Sequence, residues 1–237
     1  MNPSRIRAIF FDAGNTLVFP QLEELAQDLT AQGYPATVED FYAAERAGKQ
    51  QLDAWLWPQI RKREVPRTID HYYWGEYLRA LMERIGAPEA EHGRLIRRVA
   101  DRFRDIRTWS LVMPETSPYL EALRAQAYYL GVISNSIGTV QEQLDRLGLG
   151  RYFHTILDSA LVGVEKPHPE IFHMALARAG VDASEAVFVG DTYATDVGGA
   201  QLAGLKGVLI DRVGAYPNAQ GPKITSLPEL GQVIEAL

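Results

Sequence analysis

Several acidic, hydroxyl and amide side chains stand where short apolar runs of the sequence end. The run Ala8–Phe11 ends in Asp12, a later run ends in Ser134 and Asn135, and another ends just before Asp191. Short apolar runs bounded by turn residues are typical of buried parallel strands. Ligands of open α/β sheets bind beyond the carboxyl ends of such strands. These side chains are therefore predicted to meet at one edge of a sheet.

Two further charged residues belong to the same group. Lys166 lies in the loop after another short predicted strand, and Asp196 follows Asp191 by five residues. The group thus combines carboxylates, a hydroxyl and an ammonium. Phosphoryl transfer requires such a set, because it needs a nucleophile, hard oxygen ligands for a divalent cation, and donors for phosphate oxygens. This convergence favours a chemical role over a purely structural role as capping residues.

The rest of the sequence predicts how these residues are positioned. Residues 20–109 show helical periodicity, with caps and glycine stops for four helices and no alternating strand pattern. From residue 111 onward, apolar runs alternate with helical segments, which is typical of an α/β fold with a doubly wound parallel sheet. We predict a Rossmann-like core from residues 1–16 and 111–237, and an α-helical insert from residues 17–110.

Composition and charge exclude several classes of protein. The chain has 237 residues, a formal net charge of −6 and no cysteine. The negative charge argues against a nucleic-acid partner, for which a basic surface is expected. Without cysteine, disulfides and thiolate metal sites are excluded. No apolar run approaches the roughly 20 residues that span a bilayer, so we predict a cytoplasmic protein without a membrane partner. The sequence does not indicate an oligomeric state.

The order and placement of these motifs resemble those of haloacid dehalogenase superfamily hydrolases that carry an α-helical cap between their first and second motifs. The resemblance covers the whole chain. It implies that Asp12 is a nucleophile that forms an aspartyl intermediate, and that Lys166 neutralises the charge of this nucleophile and of the phosphate. It also implies that Ser134 and the backbone of Asn135 bind the transferred phosphoryl group.

The same resemblance implies a Mg²⁺ cofactor. Asp12, the main-chain carbonyl of Gly14 and Asp191 would hold the ion, directly or through water, and Asp196 would support the site. We therefore predict a Mg²⁺-dependent phosphatase that acts on a small phosphorylated metabolite, with motion of the cap gating access to the core.

Gly14 departs from the pattern of the superfamily's phosphatases. Those enzymes usually carry a second aspartate at this position, two residues after the nucleophile, as the general acid and base. Such catalysis contributes about 10²–10⁴-fold, so its loss predicts slow cleavage of alkyl phosphates and a relative preference for aryl or acyl phosphates. Asn15 is not expected to replace the acid, because an amide does not usefully donate and recover a proton at neutral pH.

Three alternatives stay open. Metal-independent 2-haloacid dehalogenases also lack an acid at the Gly14 position, but they lack the acid that this chain keeps as Asp191. Phosphonate hydrolases have a small residue there and form an imine with a cap lysine; Lys49 and Lys62 are the lysines of the insert, and neither lies in a matching sequence context. The third alternative is a regulatory protein that binds phosphate and metal without turnover.

The insert and its borders are rich in aromatic residues. We interpret these residues as packing groups in the first place, some of which could line the mouth of the site. They are Trp55, Trp57, Tyr72, Tyr73, Trp74 and Trp109.

Overall fold

The computed structural model describes residues 6–69 and 72–237. Its strands are β1 (Ala8–Phe11), β2 (Phe19–Pro20), β3 (Trp109–Leu111), β4 (Tyr129–Ser134), β5 (Thr155–Asp158), β6 (Ala186–Gly190), β7 (Lys206–Ile210) and β8 (Lys223–Ile224). Six of them form a parallel sheet in the order β5–β4–β1–β6–β7–β8. The predicted parallel α/β sheet is confirmed.

Helices cover both faces of this sheet and form the segment between β2 and β3. They are α1 (Leu22–Ala31), α2 (Val38–Lys62), α3 (Tyr72–Arg84), α4 (Glu89–Arg104), α5 (Thr116–Ala125), α6 (Val140–Arg146), α7 (Ser159–Val162), α8 (Pro169–Ala179), α9 (Gly199–Leu202) and α10 (Leu230–Ala236). A π-helical turn, Tyr193–Gly198, connects β6 to α9. Within the described residues, none of these helices is both long and apolar enough to cross a membrane.

Strand β1 lies at the centre of the sheet because both of its faces are apolar. Ile9 and Phe11 pack into one hydrophobic core, with α5, α6 and α10. Ala8 and Phe10 pack into another on the opposite face, with α8 and α9. Burial on both faces explains why the strand is a continuous apolar run without alternation. The strand therefore holds Asp12, the next residue, at the middle of the sheet edge.

The helices of the insert assemble around an apolar core of their own, which includes Leu25, Phe41, Leu81 and Val99. The long helix α2 begins at a capping box, because the Thr37 hydroxyl accepts from the third helical N–H while the carboxylate at that position accepts from the Thr37 N–H. The four predicted helices are confirmed. The division of the chain into a core and a cap domain stays a prediction.

One expectation about the insert was wrong at its borders. No strands were predicted in residues 20–109, but the end residues of this range belong to β2 and β3, which pair as a short antiparallel ribbon with Phe19 opposite Leu111 and Pro20 opposite Trp109. Two- and three-residue strands are too short to show an alternating pattern. The ribbon brings the two ends of the insert together next to the Asp12 turn.

The insert also contacts the sheet edge through α2. The carboxylate of Asp53 accepts a hydrogen bond from the Ala194 N–H at 3.1 Å, in the π-helical turn that follows β6. Burial raises the pKa of Asp53 from 3.8 to about 7, and hydrogen bonds from Ala194 and Trp57 oppose this shift. The contact is therefore a titratable link between α2 and the loop that carries Asp191.

Asp53→Asn is expected to flatten the pH dependence of stability. Because the pKa of Asp53 is higher in the folded protein than in the unfolded chain, its protonation stabilises the fold fully below about pH 4. This stabilisation is lost as the pH rises towards about 7. The asparagine amide retains an oxygen acceptor for Ala194 and does not titrate. Urea unfolding at pH 5 and pH 8 should show a smaller loss of stability in the variant. An equal loss in both proteins would contradict this assignment.

Candidate active site

Asp12 follows β1 directly and opens a tight turn. Its N–H donates to the Val189 carbonyl at 2.8 Å, which ties the residue to β6. A hydrogen bond from the Leu17 N–H to the Ala13 carbonyl, at 2.9 Å, closes the turn. Asn15 adopts a left-handed φ of 55°, a conformation that asparagine tolerates better than most residues. The turn presents the buried Asp12 carboxylate to a cavity.

Lys166 joins two of the predicted acids. Its ammonium lies 2.6 Å from Oδ1 of Asp12 and 2.8 Å from Oδ1 of Asp196, and the side chain is 2% exposed. Asn135 fixes this lysine, since its Nδ2 donates to the Lys166 carbonyl at 2.9 Å and its Oδ1 accepts from the Lys166 N–H at 2.8 Å. The side chain of Asn135 thus positions Lys166, and the binding of a phosphate by its backbone stays a prediction.

Asp196 is held in place by its own loop. Its Oδ2 accepts a hydrogen bond from the Thr192 N–H at 2.8 Å. The carboxylate packs against Gly190, where an added Cβ would lie only 2.4 Å from the Asp196 carboxyl carbon and oxygen. The glycine at the end of β6 therefore makes room for Asp196. The supporting role of Asp196 in the site stays a prediction.

A single cavity of about 450 Å³ lies above these groups. All the site residues predicted from sequence contribute to its wall, so the structure brings them together as expected. They are Asp12, Gly14, Ser134, Asn135, Lys166, Asp191 and Asp196. The individual roles of these residues stay predictions.

Two residues of α2 reach this site in a way that the sequence analysis did not predict: Glu45 was given no role, and Lys49 was weighed only as a lysine for imine formation. The ammonium of Lys49 lies 2.7 Å from Oδ2 of Asp191 and 2.6 Å from Oε1 of Glu45, and its side chain is 2% exposed. Asn15 also donates to Glu45, at 3.4 Å. The available signal was periodicity, because positions 45 and 49 share the helix face of Phe41 and Leu52. Charged residues on a buried face indicate a buried ion pair.

The buried charges shift each other's pKa values. Burial raises the pKa of Asp12 from 3.8 to about 7 against the attraction of Lys166, which lowers it, and repulsion from Asp196 and Asp191 adds to the increase. Burial disfavours the charged form of Lys49, but attraction to Asp191 and Glu45 dominates and raises its pKa well above the usual value. The lysine is therefore a cation at neutral pH, whereas Asp12 needs more positive charge nearby to stay ionised.

The donor set fits a divalent cation. Four buried carboxylates (Asp12, Glu45, Asp191 and Asp196) face two buried ammonium groups (Lys49 and Lys166). With all groups ionised, two negative charges remain uncompensated, which one divalent cation would balance. The described residues contain no cluster of three or more acidic or histidine ligands at metal spacing. Mg²⁺ does not require one, because it usually takes one or two carboxylates with water and substrate phosphate.

Gly14 faces an aromatic side chain. A Cβ at this position would lie 3.3 Å from Cζ3 and 3.5 Å from Cη2 of Trp109. The backbone of Gly14 is not left-handed, so its φ angle would accept a side chain. The obstacle to an aspartate is the Trp109 indole, which occupies the adjacent space. Trp109 was interpreted as a packing residue, and the structure places it, with Tyr73 and Trp74, in the cavity wall.

Comparison with known proteins agrees with this geometry. Residues 6–204 match the family model described as haloacid dehalogenase-like hydrolase. The chain is 31% identical to the glyceraldehyde 3-phosphate phosphatase of Methanopyrus kandleri, over 94% of this chain and 91% of that protein. It is 38% identical to the phosphoserine phosphatase of Thermus thermophilus, over 81% and 80%.

A solved structure supports the fold. The 2-haloacid dehalogenase of Pseudomonas syringae pv. tomato superposes with a TM-score of 0.55 at 27% identity, covering 98% of this chain and 99% of that one. A parallel α/β sheet with an acid after its central strand, and a family match over most of the chain, define a hydrolase. The chain belongs to the haloacid dehalogenase-like hydrolases.

Proposed function

We propose that this protein is a Mg²⁺-dependent phosphatase that uses Asp12 to cleave a small phosphorylated metabolite. The observation that carries the proposal is the charge of the site, in which four buried carboxylates contact two buried ammonium groups beside a cavity large enough for a metabolite. Such a site attracts a divalent cation and, with it, a phosphate. The phosphatase names of the relatives from M. kandleri and T. thermophilus point the same way.

The chemistry follows from the positions of the side chains. A carboxylate oxygen of Asp12 attacks phosphorus, and the bond to the leaving oxygen breaks with its electron pair. Lys166, at 2.6 Å from Asp12, offsets the negative charge of the nucleophile and of the incoming phosphate. Water then attacks phosphorus in the aspartyl phosphate, the bond from phosphorus to the Asp12 oxygen breaks with its electron pair, and a proton of the water passes to the solvent, which releases inorganic phosphate and restores Asp12. Ser134, at the end of β4, would donate to a phosphoryl oxygen during both steps.

The cation would be held by Asp12, Asp191 and the carbonyl of Gly14. When bound, it would stabilise negative charge on the phosphate oxygens. It would also lower the pKa of Asp12, which is otherwise raised to about 7. Asp196 would act through Lys166, which it holds at 2.8 Å, and not as a ligand.

A panel of phosphate monoesters tests the proposal. Phosphate release should require Mg²⁺, stop with a chelator and return when Mg²⁺ is added back. Absence of phosphate release from every ester, with or without Mg²⁺, would contradict the proposal.

Hydrolytic dehalogenation is a second candidate, favoured by one observation. Lys49 already provides a cation on Asp191, and a halide leaves without the acid that Gly14 lacks. Halide release from 2-haloacids in the presence of a chelator tests this reading. Imine chemistry by Lys49 is disfavoured, because its pKa is raised and it is absent from the cavity wall formed by the described residues. Lys62 is exposed at the end of α2.

Lys49→Met is expected to tighten Mg²⁺ binding. The Lys49 ammonium lies on the same carboxylate that would bind the cation. At about 5 Å, a divalent ion and an ammonium repel each other by roughly 1.7 kcal/mol even in water, which corresponds to about twentyfold in affinity. Calorimetric titration of Mg²⁺ in the presence of inorganic phosphate measures the change.

The matched control is Lys62→Met, which removes an exposed lysine from the same helix and should leave Mg²⁺ affinity unchanged. Since Lys49→Met leaves Glu45 unpaired, the double variant Glu45→Gln/Lys49→Met removes both charges together. Unchanged or weaker Mg²⁺ binding in the single and double variants would show that Lys49 does not compete with the cation.

A further inference from the structure

We propose that the leaving group of the substrate is aromatic, and that Trp109 binds it in the place where related phosphatases carry their acid. This inference rests on the proposed phosphatase function and specifies its substrate class as aryl phosphate monoesters. It is drawn from the juxtaposition of Gly14 and Trp109, and from the wall of the cavity above Asp12.

The first step concerns the proton of the leaving group. The indole of Trp109 fills the space beside Gly14, at 3.3 Å from the position of a Cβ. Gly14 itself supplies no acid to protonate a leaving oxygen, and a side chain added there would press against this indole. A phenolate leaves as a stable anion, whereas an alkoxide does not. The side chain that replaces the acid is itself an aromatic surface.

The second step concerns the wall that faces the leaving group. The helical insert contributes mainly carbon surface to the cavity, from Leu52, Tyr73, Trp74, Leu78, Phe103 and Trp109. Among the described residues, Arg104 is the charged side chain that the insert adds to this wall. The hydroxyl groups of a sugar would lie against carbon there, and each buried unpaired hydroxyl costs about 1–3 kcal/mol. An aromatic ring has no hydroxyl group that this surface would leave unpaired.

The third step concerns the rigidity of the aromatic surface. Nε1 of Trp109 donates to the Phe103 carbonyl at 2.9 Å, which fixes the orientation of the indole. The ring of Trp74 stands at 89° to that of Trp109, with centroids 6.2 Å apart, and Phe103 lies 5.9 Å from Trp109. The edge-to-face contact with Trp74 and the tilted contact with Phe103 hold the indole in a preformed position. A bound aryl group would add one more ring to an existing cluster.

The experiment compares three phosphates whose leaving groups differ in shape and in the stability of the anion that departs. Phenyl phosphate is aromatic and activated, cyclohexyl phosphate has a similar size without activation, and acetyl phosphate is small and activated. With chemistry rate-limiting, kcat/KM for phenyl phosphate should exceed that for cyclohexyl phosphate by at least about a hundredfold, within the range of a missing general acid. A ratio below ten in the unmodified enzyme would overturn the proposal.

Trp109→Ala supplies the second comparison. Loss of the stacking surface should lower kcat/KM for phenyl phosphate by about tenfold, while acetyl phosphate should change little. Trp109→Phe, which keeps a ring, should retain most of the activity on phenyl phosphate. The matched control is Trp55→Ala, a tryptophan of α2 outside the cavity wall. Equal losses for phenyl and acetyl phosphate in Trp109→Ala would overturn the role of the indole.

A third comparison tests the exchange of acid for indole. Gly14→Asp alone should gain little activity on cyclohexyl phosphate, because the indole obstructs the new side chain. Gly14→Asp/Trp109→Ala should gain more, and equal activities of the two variants would contradict the steric part of the proposal. If the proposed function itself is wrong, no ester will release phosphate in an Asp12-dependent manner. Asp12-dependent turnover that favours cyclohexyl phosphate overturns the aromatic leaving group alone.

Discussion

Asp12→Asn should lower phosphate release by at least about a thousandfold, the scale expected when a covalent nucleophile is removed. The amide is a poor nucleophile and forms no aspartyl phosphate. The fold should persist, because asparagine has the same shape and Lys166 keeps its second partner, Asp196, at 2.8 Å. Steady-state rates with saturating Mg²⁺ on the best ester of the panel measure the effect.

The control for this variant is Asp28→Asn, which removes an acid that pairs with Arg98 on the surface of the insert. Its rate should equal that of the unmodified protein. If Asp12→Asn instead keeps a rate within tenfold of the unmodified enzyme, Asp12 is not the attacking group and another nucleophile must be sought in the cavity.

Lys166→Met should destabilise the folded protein and also remove activity. The lysine is buried between Asp12 and Asp196, and its loss leaves two buried carboxylates without a cation. Breaking a buried ion pair from one side costs about 3–5 kcal/mol. The cost should be larger at pH 8 than at pH 5, because both carboxyl groups have raised pKa values and can take up protons at the lower pH. Urea unfolding without Mg²⁺ measures it.

Two further variants separate the loss of stability from the loss of activity. Lys166→Met/Asp196→Asn removes one of the stranded carboxylates and should recover part of the stability, but not the activity. Lys206→Met is the control: it changes a half-buried lysine at the start of β7, the neighbour of β6 in the sheet, and should preserve activity. A destabilisation below about 1 kcal/mol at pH 8 in Lys166→Met would show that Asp12, Lys166 and Asp196 are not all charged in the folded protein.

The core of the site could be predicted because its residues follow strands. Asp12, Ser134 and Asp191 each end a buried apolar run, and parallel pairing of β4, β1 and β6 brings those ends to one edge. Local sequence therefore determined both the strand and the position of the chemistry. The same logic located Lys166; the resemblance implied that it neutralises Asp12, but not that it also pairs with Asp196.

The contributions of the insert could not be predicted in the same way. Lys49 meets Asp191, far away in sequence, only through the docking of α2 on the loop after β6. Trp109 meets Gly14 only because β2 and β3 pair and close the insert at its base. Helical periodicity shows which face of α2 is buried, but not which surface buries it. The sequence showed that an acid was missing at Gly14, and the structure shows what fills its place.

The most direct test follows the oxygen atoms during turnover in water labelled with oxygen-18. Mass spectrometry of the enzyme quenched during cleavage of an aryl phosphate should find phosphate on the peptide that contains Asp12. The label should appear in the released inorganic phosphate and not in the Asp12 carboxyl group, because water attacks phosphorus. Incorporation of the label into Asp12, or phosphate release without modification of that peptide, would contradict the aspartyl phosphate mechanism.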